Sequence, residues 1–325
     1  MPGFLVHGLT VEAGSTLGFD PAAELLAGFP AAPPGQPMGL TIRVDDGDAP
    51  WSDGSPCRPP AAGAGADTIL LQAAVRAALG SDAIWIEAPG FLARVPLDGG
   101  RVEARRLAPG LDRHALVHVH LFLAFAAALR LRGRYHLHAA CTVAPGGGAV
   151  LIGGHGRSGK STLASALIAG GHAYLGDDVL FLDGEAHRLL AFPRPFHLGA
   201  AAAGALPGLG AHLEGPYSHA GKQALDARAA FPGQERVATG LPRRLLFPRI
   251  GDAATTTLEP LAPVEAVADL VESSAFVAAR LPGHARHLAA LAALADAAPA
   301  WRVTLGRDLL EDAVGTAQRV AEGVG

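Results

Sequence analysis

The chain has 325 residues, half of them hydrophobic, and a formal net charge of −4 at pH 7. This length suits two domains of ordinary size, and the hydrophobic content can fill a sizeable core. Charged residues make up 17% of the chain, below the roughly 25% of an average soluble domain. The balanced charge excludes the electrostatic footprint of a protein that binds duplex nucleic acid or an anionic membrane, so we expect neither partner.

The cysteine content and the N-terminus both favour a cytoplasmic protein. The two cysteines, Cys57 and Cys141, lie far apart in the sequence. So few cysteines argue against a disulfide framework or a cysteine metal site, and they indicate a reducing compartment. The opening "MPGFLVHGLTVEAG" lacks a basic region followed by a long apolar run, so we expect no secretory signal.

The first 130 residues carry no motif that points to a chemical function. We predict strands over 4–12 and 39–45, followed by Pro/Gly-rich loops that reach residue 67. "TILLQAAVRAALG", residues 68–80, predicts a helix that ends at Gly80. Three short strands follow in "AIWIEA", "FLARVPL" and "RVEARRL", with turns at "PG" and "DGG". Residues 1–130 therefore read as a mixed α+β N-terminal region.

One apolar segment, "ALVHVHLFLAFAAALRL" over residues 115–131, requires a test for membrane insertion. It is about as long as the shortest spanning helix, which needs roughly 17–25 apolar residues. It also carries His118, His120 and Arg130. We interpret it as a buried helix and keep a membrane span as the alternative.

From residue 131 onward, predicted strands alternate with predicted helices. The strands are "HLHAACTVA", "GAVLIG", "AYLGDDVLFLD", "HRLLAF", "RRLLFPRI" and "WRVTL", and Asp183-Gly184 is a hairpin-turn signal. The helices are "KSTLASALIAG", "PVEAVADLVESSAFVAARL", "HARHLAALAALADA" and "DLLEDAVGTAQRVAEG". Residues 199–240, rich in Ala, Gly and Pro, predict a long loop or lid. The alternation predicts an α/β, P-loop-containing nucleotide-binding domain over 131–325.

A phosphate-binding loop lies between a predicted strand and a predicted helix. The motif G-x-x-x-x-G-K-[ST] is matched in full by Gly154, His155, Gly156, Arg157, Ser158, Gly159, Lys160 and Ser161. Glycines let the backbone turn its N–H groups toward an anion, and the helix N-terminus adds unpaired N–H groups. The loop therefore predicts ATP and Mg²⁺ as cofactors, with Lys160 on the β- and γ-phosphates and Ser161 on the metal.

Other side chains of the loop are less constrained by the motif. Thr162 follows Ser161 and is placed to touch the α-phosphate. His155 and Arg157 lie inside the loop, where the motif uses the backbone alone. We expect their side chains to face solvent, and a role in the site stays open because loop side chains often carry function.

An acidic pair, Asp177 and Asp178, follows 17 residues after Lys160, at the end of a predicted strand. Neighbouring side chains on a strand point to opposite faces, so a bulge or turn is needed to bring both to one site. One carboxylate beside the loop can bind Mg²⁺ while the other accepts a proton from an attacking hydroxyl. A polar turn or a helix cap is the alternative.

The stretch from "LHAACTV" to "DDVLFLD" resembles the C-terminal domain of HPr kinase/phosphorylase, and more closely its stand-alone relatives, the HPr-kinase-like serine kinases of peptide gene clusters. The nucleotide core is also similar to that of ATP-dependent phosphoenolpyruvate carboxykinase. The resemblance implies that Asp177 is the general base and that Asp178 lies near metal and phosphate. It implies that His138 lies near the transferred phosphoryl group or hydrogen-bonds Asp177. A core histidine, like its neighbour His136, is the alternative.

The resemblance further implies a Mg²⁺-dependent kinase that transfers the γ-phosphate of ATP to a serine hydroxyl of a peptide or protein. Arg194, in "FPRPFHL", is a candidate for stabilising the transferring phosphate, and a surface arginine is the alternative. The family's second signature has no convincing counterpart, so we do not predict phosphorylase activity. The alternatives are an inactive ATP-dependent binding or regulatory module and a small-molecule kinase. Because the bifunctional enzymes are hexamers, a homo-oligomer stays open.

Overall fold

The computed structural model describes residues 1–59, 69–72, 74–206, 208–215, 221–274, 277 and 281–323. The chain is mixed α/β and contains two large sheets. It divides into two compact units, residues 1–135 with 276–287 and residues 136–275 with 288–325. Residues 276–287 are thus separated in sequence from the rest of the first unit.

The first unit is built on an eight-stranded sheet with the strand order β1-β2-β3-β8-β7-β6-β5-β4. Its strands are β1 Gly3–Val6, β2 Leu9–Ser15, β3 Leu40–Asp46, β4 Ile69–Gln72, β5 Val75–Leu79, β6 Ala83–Ala88, β7 Phe91–Pro96 and β8 Arg101–Arg106, and its helices are α1 Pro21–Leu26 and α2 Phe122–Leu131. The β2–β3 and β3–β8 pairs are parallel. The three strands predicted over 83–106 are confirmed.

Two predictions for this unit are wrong in detail. Residues 4–12 form a hairpin and not a single strand, because His7 and Gly8 both have positive φ, as a tight hairpin turn requires. The segment 68–80 is not a helix in its described part, which forms β4 and β5. Pairing of β5 with β6 overrides the alanine-rich helical pattern, and Ala74 has a φ of 64°, outside the helical region. Residues 60–68 and 73 lie outside the described residues.

The apolar segment 115–131 is helical, as predicted. A π-helical turn over Ala115–Leu121 leads directly into α2, and every residue of α2 from Phe122 to Arg130 is buried. Helix α2 packs on β6, β7 and β8. Among the described residues, no helix combines the length and the apolar character that crossing a bilayer demands.

The second large sheet has nine strands. Seven follow the order β12-β10-β11-β18-β14-β13-β9, and β20 pairs with both β18 and β19. Its strands are β9 Arg134–Leu137, β10 Ala140–Val143, β11 Gly148–Ile152, β12 Ala173–Gly176, β13 Leu180–Asp183, β14 Leu189–Ala191, β18 Thr239–Ile250, β19 Thr257–Leu261 and β20 Ala300–Leu305. The β13–β14 hairpin predicted at Asp183-Gly184 is confirmed.

Helices and a small second sheet cover this unit. The helices are α3 Lys160–Ala169, α4 Ala200–Ala205, α5 Ala227–Ala230, α6 Pro263–Glu272, α7 His284–Ala297, α8 Asp308–Glu311 and α9 Ala313–Glu322. The small sheet has the order β15-β17-β16, with β15 Phe196–Gly199, β16 Leu213–Glu214 and β17 Lys222–Leu225. Helix α3 packs against β10, β15, α4 and α9 around a shared hydrophobic core. This packing fixes the helix that begins at Lys160.

Two further predictions need correction. Residues 199–240 are not one long loop in their described part, because β16, β17, α4 and α5 lie within them. Residues 207 and 216–220 lie outside the described residues. The last predicted helix is two helices, because Asp312 leaves the helical conformation and its side chain caps α9 by accepting from the Gly315 N–H. The helix predicted over 263–281 ends at Glu272, and residues 275–276 and 278–280 are outside the described part.

Candidate phosphate-binding site

Three predicted site segments meet at one edge of the nine-stranded sheet. Strands β11 and β12 are both antiparallel to β10, so they run in the same direction and end at the same edge. The loop 153–159 follows β11, and Asp177-Asp178 follow β12. His138 lies two residues before β10, whose first residue pairs with the last residue of β11. The phosphate-binding loop, the acidic pair and the histidine therefore lie at the same edge of the sheet, because each is next to an end of β10, β11 or β12.

The loop between β11 and α3 has the backbone of an anion cradle. Gly154, Arg157 and Gly159 have positive φ values of 123°, 64° and 99°. A side chain at Gly159 would also collide with Leu305, so this position needs glycine for two reasons. Helix α3 begins at the next residue with no side-chain cap. Its first N–H groups and its positive dipole end are therefore directed into the loop, as at helix N-termini that bind phosphate.

Lys160 lies folded back on the loop that carries it. Its side chain is buried, with 6% exposed, and its Nζ donates to the carbonyl oxygens of Gly154, at 2.6 Å, and His155, at 2.7 Å. Burial and the like charge of Lys222 lower the pKa of Lys160 to about 8. The ammonium thus lies at the mouth of the cradle, where a phosphate oxygen can replace the two carbonyls as its acceptor.

Asp177 is a buried carboxylate in a bend after β12, with 5% of its surface exposed. Its Oδ2 accepts a hydrogen bond from the backbone N–H of His197 at 3.1 Å. Its Oδ1 is buried and makes no hydrogen bond within the described ranges. Burial raises the pKa of Asp177 to about 6, against the opposing charge of Lys222 and the His197 N–H. A carboxylate of this kind can take up a proton near neutral pH.

Asp178 has different partners from its neighbour. The Nδ1 of His138 lies 3.1 Å from Asp178 Oδ1, and Arg194 Nη1 lies 3.9 Å from Asp178 Oδ2. His138 thus contacts Asp178, and not Asp177, which was one of the two alternatives that the resemblance implied for this histidine. The two carboxylates diverge in the bend, so Asp177 turns inward and Asp178 faces the histidine. His136, by contrast, is a core residue against Phe181, and burial lowers its pKa to about 3.

The partners of Asp178 together decide its charge state. Burial is the largest single influence and pushes the pKa of this carboxyl upward, but the hydrogen bond from His138 and the charges of Arg194 and Lys222 act together against it. The pKa of Asp178 therefore lies well below its ordinary value. Arg194 itself stacks over Phe192, and burial lowers its pKa to about 10. Asp178 is therefore an ionised carboxylate at neutral pH.

The remaining loop positions divide into exposed and buried side chains. His155, Gly156 and Arg157 are exposed residues, whereas Ser158 and Thr162 are partly buried. His155 is exposed as predicted, but its Nε2 also lies 2.9 Å from the carboxylate of Glu272 at the end of α6. The hydroxyl oxygen of Ser158 is buried without a hydrogen-bond partner in the described part of the chain.

Ser273 is a buried contributor that the sequence pattern did not reveal. Its Oγ accepts a hydrogen bond from Gly154 N at 3.2 Å, and its carbonyl oxygen accepts one from His138 N at 2.6 Å. The end of α6 thus supports both the loop and the segment that carries the histidine. No local sequence signal marks this serine, because its partners lie more than 100 residues away.

Lys222 is the other residue that sequence reasoning missed. Its Nζ donates to the hydroxyl oxygen of Ser161 at 3.0 Å. The chain has 26 basic residues, and Lys160 and Lys222 are its two lysines. The scarcity of lysine was an available signal, because a lysine kept in an arginine-rich chain is more informative than one more arginine.

The residues fit a bound ATP and Mg²⁺. An uncapped helix start, an inward-facing lysine and an unpartnered buried carboxylate oxygen leave donors and acceptors that a metal-bound triphosphate would satisfy. In the described ranges, no group of three or more His, Cys, Asp and Glu side chains is placed to hold a metal ion. Magnesium in nucleotide sites is usually held by one or two carboxylates together with phosphates and water.

Comparisons with known proteins give only weak similarity, and only to solved structures. No protein-family model matches the sequence, and no curated protein matches it. Among solved structures, the chain is similar to the Hpr(Ser) kinase/phosphatase from Coxiella burnetii, with 16% sequence identity and a TM-score of 0.27. The match covers 58% of this chain and 98% of that chain. A similarity at this level does not carry a functional assignment, which depends on the geometry of the site.

Proposed function

We propose that this protein is a Mg²⁺-dependent kinase that transfers the γ-phosphate of ATP to a serine hydroxyl of a peptide or protein, with the active site in its second unit. The observation that carries the proposal is the meeting of Lys160, the uncapped start of α3 and the buried Asp177 at one sheet edge. These are the cradle, the charge and the proton acceptor that phosphoryl transfer needs.

The phosphate-binding loop, Lys160 and Mg²⁺ have the role of holding the triphosphate. The N–H groups of the loop and of the first turn of α3 bind phosphate oxygens, and Lys160 binds the β- and γ-phosphates. Ser161 and Asp178 hold Mg²⁺, which neutralises charge on the phosphates when it is bound. Arg194, beside Asp178, stabilises the charge on the transferring group. The ionised state of Asp178 supports its role as a metal ligand.

Asp177 has the role of the general base. The serine oxygen forms its bond to the γ-phosphorus as the bond to the β–γ bridging oxygen breaks, and the hydroxyl proton moves to Asp177. The unpartnered Oδ1 and the pKa of about 6 support this role, since an efficient base titrates near the working pH. His138 orients Asp178 and is a positioning residue.

The test is transfer itself. The protein is incubated with γ-labelled ATP, Mg²⁺, the products of adjacent genes and a library of serine-containing peptides, and phosphoserine is sought by mass spectrometry. We expect phosphoserine with the native chain and none with Asp177→Asn, which should still bind nucleotide. Tight ATP binding without any phosphoproduct would instead identify an inactive binding module. A phosphorylated small molecule from a metabolite extract, without phosphopeptide, would identify a small-molecule kinase.

A further inference from the structure

Lys222 contacts the oxygen that the proposed function gives to the metal. Its Nζ donates to Ser161 Oγ at 3.0 Å. Ser161, at the start of α3, is a buried residue. A hydroxyl oxygen has two lone pairs and one proton, so few directions of approach are available to it in a buried site.

The charge of Lys222 acts on the whole cluster. It lowers the pKa of Lys160, and it opposes the rise in the pKa of Asp177. It also helps to lower the pKa of Asp178. A single ammonium thus hydrogen-bonds the serine and acts electrostatically on both carboxylates and on the other lysine, which form the neighbourhood proposed for Mg²⁺.

The small sheet β15-β17-β16 positions the Lys222 ammonium. Lys222 is the first residue of β17 and pairs with Gly199 of β15. The same sheet supplies His197, whose backbone N–H donates to Asp177. Both contacts come from backbone-paired positions, so the sheet directs the stem of Lys222 toward α3. The four-carbon stem still allows the ammonium to change acceptor by rotating its own bonds.

An ammonium and a magnesium ion compete for such a position. Magnesium binds oxygen at about 2.0–2.1 Å and requires a lone pair directed at it. A lysine that donates to the same oxygen occupies one of its two lone pairs, and its positive charge repels a dication from the other. When the phosphates of ATP arrive with the metal, they offer the ammonium new acceptors. The exchange then needs no movement of the backbone.

We propose that the Lys222 ammonium occupies the metal position at Ser161 in the absence of nucleotide. Free divalent metal then binds weakly. When ATP binds, its phosphates become the acceptors of the ammonium, and the metal position becomes available. This inference rests on the proposed function for the assignment of Ser161 as a metal ligand. It predicts ordered loading, in which metal enters with nucleotide. The chain would thereby avoid a metal-filled site that has no phosphate to transfer.

The experiment measures Mn²⁺ binding to the full chain without nucleotide, by electron paramagnetic resonance of the free ion. We expect Lys222→Met and Lys222→Gln to bind Mn²⁺ at least tenfold more tightly than the native chain. Lys222→Arg, which keeps a cationic donor, should bind as weakly as the native chain. Thermal unfolding of each variant verifies that it is folded. Two neutral variants are used so that the result still stands if one of them misfolds.

Two controls separate competition at Ser161 from a general change in charge. Lys160→Met removes the same charge from a lysine whose described contacts are loop carbonyls, and it should tighten Mn²⁺ binding less than threefold. In a Ser161→Ala background, Lys222→Met should lose its advantage. Unchanged, weaker or undetectable Mn²⁺ binding by both neutral variants would overturn the inference, as would an equal gain in Lys160→Met. Phosphoserine formation is measured separately, so failure of the kinase assignment is distinguishable from failure of this inference.

Discussion

His138 Nδ1 lies 3.1 Å from Asp178 Oδ1, while the adjacent carboxylate of Asp177 turns away from the histidine and is buried. Two neighbouring aspartates therefore have opposite electrostatic environments. The pKa of Asp178 is held low by His138 and Arg194 against the effect of burial, whereas burial raises the pKa of Asp177 to about 6. Pairs of acidic groups whose pKa values are driven apart usually divide an acid–base function from an electrostatic one.

This division predicts different defects for the two amide variants. Asp177→Asn should keep nucleotide and metal binding within about threefold and lower the transfer rate by about 10²–10⁴, the usual contribution of a general base. Asp178→Asn should weaken metal binding in the presence of ATP by about tenfold or more, because it removes an ionised ligand. Calorimetry with Mn²⁺ and ATP, together with phosphoserine assays, measures both. The reverse pattern would exchange the roles of the two carboxylates.

Asp177→Asn should also stabilise the folded chain, in a pH-dependent way. The folded pKa of about 6 exceeds the ordinary value of 3.8, so the folded state binds the proton more tightly than the unfolded state does. The cost of burying the charge is present in full above pH 6 and fades as the pH falls toward 4. We expect the variant to be more stable by up to about 3 kcal/mol at pH 7.5, and by about half as much at pH 5.

Urea unfolding at the two pH values measures this difference. Glu185→Gln, at an exposed position in the β13–β14 turn, is the matched control and should change stability by less than about 0.5 kcal/mol at either pH. A destabilised Asp177→Asn at pH 7.5, or a gain that is the same at both pH values, would show that burial of a charged carboxylate is not the dominant cost at this position.

Lys160→Met should strongly weaken nucleotide binding while leaving the fold intact. Lys160 donates to loop carbonyls in the absence of phosphate, so its removal leaves acceptors that water can reach. We expect affinity for Mg²⁺-ATP to fall by about a hundredfold, in keeping with roughly 1.5–3 kcal/mol for a hydrogen bond to a charged group. Arg188→Met, at an exposed turn position, provides the control. Equal affinities of native and Lys160→Met chains would exclude this lysine from the phosphate site.

Ser273→Ala should destabilise the phosphate-binding loop, because it removes a hydrogen bond to the Gly154 backbone. The substitution removes the acceptor of the Gly154 N–H, and an unpaired buried donor costs about 1–3 kcal/mol. We expect about fivefold to tenfold weaker nucleotide binding and a lower unfolding temperature. Ser274→Ala is a close control, because the Ser274 hydroxyl donates to the helix carbonyl of Leu270 just as Ser273 donates to that of Asp269. Identical behaviour of the two variants would remove Ser273 from the support of the loop.

The sequence predicted best those features that local chemistry determines. Glycines with positive φ in 154–159, and an alanine- and leucine-rich run after Lys160, determine a turn followed by a helix with little help from the rest of the chain. The acidic pair could be located for a similar reason, since it follows a short apolar strand. The need for a bend at Asp177 was foreseeable because alternate strand residues face opposite ways.

Features that depend on distant partners could not be predicted in the same way. Which carboxylate His138 contacts depends on the paths of β10 and β12, which are offset by an irregularity between Cys141 and Thr142. The support from Ser273 depends on where α6 ends. The segment 68–80 has the composition of a helix, yet its pairing partner is a strand that helix propensity does not describe. Lys222 lay in an alanine- and glycine-rich region whose strands are too short for periodicity to reveal.

Phosphoserine formation from γ-labelled ATP is the measurement that tests the kinase assignment most directly, with the native chain and Asp177→Asn compared on the same peptide library. We predict a phosphopeptide that requires both Mg²⁺ and the native Asp177, whereas the variant should bind ATP and form no product. Equal product from the two chains, or ATP bound by the native chain with no product from any serine peptide or adjacent gene product, would contradict it.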